Sequence, residues 1–117
     1  MIKFESQELE VMKKSGEAIG RVAKHYISEI YQLDRARTVE DIEKQIKNIS
    51  LRAMSIEKKE EKDDTKIYMP PIADLMVIIN KYKEAYDEIK DIVIVYASIE
   101  LSYLKWKENQ TKKEKEE

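Results

Sequence analysis

Residues 89–106 read IKDIVIVYASIELSYLKW, the most apolar run in a chain otherwise saturated with charge. Ile89, Ile92, Val93, Tyr96, Ile99, Tyr103 and Trp106 recur mostly at spacings of three and four, the period of a helix that buries one face. Ile94, Val95, Leu101 and Leu104 fall on the other sides, so the pattern predicts a helix apolar nearly all round, lying in the middle of a bundle. The β-branched IVIV also suits a strand. The length of the run and the continued helical spacing through Trp106 decide for the helix.

Composition agrees. The 117 residues contain two glycines and two prolines, too few turn formers for a β-sandwich or barrel, and the length serves one core. We expect an all-α fold: a single-domain bundle of about four helices, arranged as two helical hairpins, over residues 1–108, with a disordered charged tail at 109–117. Charged residues make up 39% of the chain while the net charge is only −2, so total charge predicts no partner. The absence of cysteine excludes disulfides, thiolate catalysis and cysteine zinc sites together. No segment reads as a signal peptide or a membrane span, from which we expect a soluble, cytoplasmic protein. Heavy use of Glu, Lys and Ile matches the bias of thermophilic proteins.

The first helix is expected to start at Glu5 or Ser6, with Phe4 folding back on Leu9 as a hydrophobic staple. Leu9, Met12, Gly16, Ile19, Ala23, Tyr26, Ile30 and Leu33 carry its seam to about Gln32. Gly16 and Gly20 each cost about 1 kcal/mol inside a helix, so something must favour them. Either another helix packs closely there, or the bare backbone meets a phosphate or a nucleic-acid strand. Thr38 and Asp41 form a capping box for a second helix, whose seam is Val39, Ile42, Ile46, Ile49, Ala53 and Ile56. Residues 57–66, EKKEEKDDTK, read as a solvated loop or frayed helix end. Pro70 opens a third helix with Ile72, Leu75, Ile79 and Tyr82 buried, and a break between Tyr82 and Asp87 separates it from the last.

No pattern of nucleophile, metal ligands or phosphate-binding loop is present, so we expect a protein that is not an enzyme and uses no metal, cofactor or small-molecule ligand. Arg21 and His25 in RVAKH are similar to the arginine–histidine pair of helical HEPN ribonucleases, at a shorter spacing, which leaves a ribonuclease as the weaker alternative. The charge pattern says more. Lys14, Arg21, His25 and Gln32 share one stripe of the first helix, flanked by Lys24, and Lys44, Asn48 and Arg52 share one on the second, flanked by Lys47. Arg35 and Arg37 lie between them. The stripes read either as an ordinary solvated surface with i,i+4 ion pairs, or as a track for nucleic-acid phosphates at Lys14, Arg21, Lys24, His25, Arg35, Arg37, Lys44, Lys47 and Arg52.

The words SGEAIGRVA (15–23), DRARTVEDI (34–42) and DIVIVYAS (91–98), in that order, resemble the small subunits of archaeal type I CRISPR Cascade complexes. More particularly, they look like the helical C-terminal region of the subtype I-A or I-B large subunit. The resemblance implies a non-enzymatic bundle in an antiviral ribonucleoprotein. Its partners would be other subunits, copies of itself and guide-paired target DNA or the displaced strand, held through Lys14, Arg21, Lys24, Arg35, Arg37 and Arg52. The alternative from the seams alone is a structural adaptor for protein assembly.

Overall fold

A computed structural model describes residues 3–60 and 70–116. They form five α-helices: α1 (Ser6–His25), α2 (Ser28–Arg35), α3 (Val39–Glu60), α4 (Pro70–Lys81) and α5 (Tyr86–Glu116), with a 3-10 turn at Lys83–Ala85. The described residues contain no strand. The fold is all-α. The expected charged loop lies largely at 61–69, outside the described residues; its first residues, 57–60, are the end of α3.

Three sequence expectations about α1 and α3 are met. Met12, Ile19, Ala23, Ile30 and Leu33 are buried, as are Ile42, Ile46, Ile49, Ala53 and Ile56. The Thr38 hydroxyl accepts from the Asp41 N–H at 3.1 Å and caps α3, while the Asp41 carboxylate accepts from the Arg37 N–H. The glycines serve close packing: a Cβ on Gly16 would stand 2.6 Å from the Val93 carbonyl oxygen, and one on Gly20 2.6 Å from that of Ala97. Bare backbone here faces α5.

Other expectations are corrected. The first helix does not run unbroken to Gln32: the chain leaves helical geometry at Tyr26 (φ −138°, ψ 78°) and resumes as α2. The bend turns Glu29 inward, where its carboxylate accepts from the Gln45 amide at 2.7 Å. The N-terminal staple differs as well. Phe4 meets the Tyr82 ring edge-on, with centroids 5.2 Å apart, and Leu9 is left exposed. The tail at 109–117 was expected to be disordered, but α5 continues to Glu116, since no Gly or Pro interrupts its Lys, Glu and Gln residues. The break after Tyr82 is real, although α5 begins at Tyr86, which puts Asp87 inside its first turn rather than at the cap.

The pairing of helices also differs from two sequential hairpins. Gly16 lies against Val93 and Tyr96, Gly20 against Ala97, Arg21 beside Glu100 and Lys24 near Glu108, so residue numbers rise together. The ends of the chain thus form a parallel pair, α1 on α5, which is the most extensive packing in the fold. Polar ties hold the start of α5 to its neighbours. The buried Lys90 ammonium donates to the Asp34 and Ala36 carbonyls at 3.0 and 2.9 Å, capping the end of α2, and the Tyr86 hydroxyl donates to the Arg37 carbonyl at 2.6 Å.

Candidate functional site

The nine candidate phosphate contacts do not form one track. Arg21 donates from Nε to the Glu100 carboxylate at 3.3 Å, across the α1–α5 seam. Lys14 stands 3.9 Å from Glu10 and Lys24 3.9 Å from Glu108, both exposed pairs of the loose surface kind. Arg52 lies 3.4 Å from buried Glu29, and its guanidinium sits over the Tyr26 ring at 4.4 Å. Arg21 and Arg52 are therefore parts of the packing, held by carboxylates on neighbouring helices. His25 is exposed at the last position of α1.

Arg35, Arg37, Lys44 and Lys47 are different. All are exposed, around the α2–α3 connection and the first turns of α3, and none makes an ion pair with a carboxylate among the described residues. This group stands far from Lys24: Arg37 is tied to Tyr86 at the start of α5 and Lys24 faces Glu108 well along it. At 1.5 Å per residue these points are roughly 33 Å apart along the helix. The structure thus places four of the nine on α2, α3 and their connection, and spreads the α1 residues along α5, with Arg21 at Glu100 and Lys24 at Glu108.

A second polar cluster joins the start of α1 to the end of α4. Glu8 accepts from the Glu5 N–H at 2.9 Å, from the Lys81 ammonium at 2.9 Å and from the Tyr82 hydroxyl at 2.8 Å. Those bonds, the Glu5 N–H foremost and then Lys81, hold the Glu8 carboxyl down to about 2. The same contacts raise Lys81 and Tyr82 above their ordinary values, through the hydrogen bond to Glu8 in both cases. The Glu8 carboxylate takes donors from the N-cap of α1, from α4 and from Tyr82 just beyond it, which makes the cluster a clasp between helices.

What the sequence reading missed is apolar. α5 buries Ile89, Val93, Ala97 and Leu101, yet Val95, Ile99, Tyr103 and Trp106 are exposed, at 51–59% of their possible surface. The helix lies at the side of the bundle, with one face covered and the other open, rather than in its middle. Tyr103 and Trp106 stack on each other, with centroids 6.2 Å apart, and stand out from the helix. One to three turns earlier on α5, Asp91, Ile92, Val95, Tyr96 and Ile99 line an open groove of about 480 Å³ together with Leu9 of α1. The signal lay in the all-round apolarity of 89–106: α1, with two glycines at its contact, is too slim to cover more than one side.

Among the described residues, no group of three or more His, Asp or Glu side chains is placed to hold a metal ion, and no helix is long and apolar enough to cross a membrane. No protein-family model, curated protein or solved structure matches the chain. The likeness to CRISPR small subunits accordingly stands on the three sequence words alone.

Proposed function

We propose that this chain is a non-catalytic helical assembly subunit, which joins a larger complex through the open apolar face of α5. One observation carries the reading. Val95, Ile99, Tyr103 and Trp106, with Leu9 beside them, expose on the order of 500 Å² of contiguous apolar surface, at the upper end of what a protein without a partner displays. Exposed Tyr and Trp beside a groove have the composition of an interface core. Ile99→Asp tests it. The side chain is 59% exposed, so the fold tolerates the change, whereas a carboxylate buried against a partner is costly. Tagged wild-type chain isolated from its native cell should come with stoichiometric partners, and the variant should come without them. Equal recovery from both would end this reading.

The more specific role implied by the resemblance is to hold the target or displaced DNA strand in a CRISPR interference complex. It is favoured by the four exposed cations Arg35, Arg37, Lys44 and Lys47, which have no carboxylate partner among the described residues and offer sequence-independent phosphate contacts. The two roles are compatible, since the cations and the apolar face occupy different helices.

A further inference from the structure

We infer that the occupant of the α5 face is a second copy of this chain, paired with the first through antiparallel α5 helices about a two-fold axis near Ile99. The inference rests on the assembly reading above and names the partner. An isologous contact requires one surface to complement itself after a half-turn. The α5 face does so in shape. The groove lined by Ile92, Val95 and Tyr96 lies on one side of Ile99, and the protruding Tyr103–Trp106 pair lies on the other, along the same stripe. Antiparallel docking about Ile99 puts Ile92 of each copy level with Trp106 of the other, so each aromatic pair enters the facing groove.

The face also complements itself in charge. Asp91 and Lys105 are both exposed and flank the apolar stripe on one side, two heptads apart and symmetric about Ser98. In an antiparallel helix pair such flanking positions face each other, so Asp91 of each copy meets Lys105 of the other, giving two ion pairs. In a parallel pair, positions on the same side of the stripe fall on opposite flanks of the interface, so neither ion pair would form and only the antiparallel arrangement uses them. A net charge of −2 leaves little repulsion between copies. Two such faces together bury on the order of 1,000 Å², the lower end of the range for a specific interface, which places the dimer among reversible ones.

Sedimentation equilibrium of the full chain tests this. Wild type should show a concentration-dependent monomer–dimer equilibrium and Ile99→Asp should be monomeric with unchanged helicity by circular dichroism. Asp91→Lys should weaken the dimer about tenfold or more, and Asp91→Lys combined with Lys105→Asp should restore it, because the exchange recreates both pairs. A double variant no better than the single one overturns the antiparallel arrangement. Wild type that stays monomeric at the highest attainable concentration overturns the second copy as occupant. In that case isolation from the native cell separates the two ideas: if Ile99→Asp still loses its partners, the face docks another protein, and if it retains them, the assembly reading fails as well.

Discussion

Gly16 on α1 approaches the backbone of Val93 on α5 so closely that a Cβ at its position would stand 2.6 Å from the Val93 carbonyl oxygen. A methyl group cannot be accommodated by a rotamer change when the obstacle is backbone. Gly16→Ala should therefore push the two helices apart and destabilise the fold by about 1–3 kcal/mol, despite the roughly 1 kcal/mol that alanine gains in an isolated helix. Urea unfolding decides the sign. A more stable Gly16→Ala protein would mean that the parallel α1–α5 seam is looser than described.

Ile89 and Ile99 share one apolar pattern in the sequence but not one environment. Ile89 is 1% exposed and Ile99 59%. Truncating Ile89 to alanine should cost about 2–5 kcal/mol, while Ile99→Ala in dilute protein should stay within about 0.5 kcal/mol of wild type. Thermal melts at low concentration, where association contributes nothing, provide the comparison. Similar losses for both would put α5 back in the centre of the bundle.

That difference marks where sequence reading ends for this chain. The α3 seam from Ile42 to Ile56 was legible residue by residue, because an amphipathic helix with one apolar stripe leaves no choice about which side is inside. The break at Tyr82 and the helix start at Pro70 were equally plain from local chemistry. α5 offered two apolar sides, and periodicity alone does not say which of them a neighbour covers. The parallel α1–α5 pairing joins segments far apart in sequence, which no connection length reveals. The bend at Tyr26 depends on tertiary partners, Gln45 for Glu29 and the Arg52 guanidinium for the tyrosine ring. Of the cationic stripes, the one on α3 lies on a single helix, whereas the bend at Tyr26 moves Gln32 from the first stripe onto α2. Which cations face carboxylates from another helix, as Arg21 faces Glu100, became visible only once the helices were packed.

The Glu8 clasp makes stability depend on acid. Its carboxyl titrates at about 2 in the folded chain, below the ordinary 4.5, so the stabilisation is fully present above pH 4.5 and is lost as pH falls toward 2. Lys81 and Tyr82 are shifted upward, so their contributions are complete below their ordinary values and fade only in strong alkali. Glu8→Gln should melt below wild type at pH 7, and the gap should close as pH drops from 4.5 to 2. A gap that stays constant over that window would show that the loss in Glu8→Gln comes from packing and not from the carboxylate charge.

Charge reversal separates the cations that hold the fold from those that remain for a partner. Arg52→Glu would put a second carboxylate beside buried Glu29 and remove the guanidinium from the Tyr26 ring, so it should lower the melting temperature markedly. Reversing Lys44 and Lys47 together, both exposed and without a carboxylate partner among the described residues, should leave the melt nearly unchanged. The second variant is the clean probe of nucleic-acid contact. If phosphates bind at this end of the bundle, titration of labelled single strands should show weak, sequence-independent binding by wild type that falls with salt, and the Lys44→Glu, Lys47→Glu protein should lose most of it together with about two units of the salt slope. Identical binding curves for wild type and this variant would assign Lys44 and Lys47 to solvation and remove their support for a phosphate track on α3.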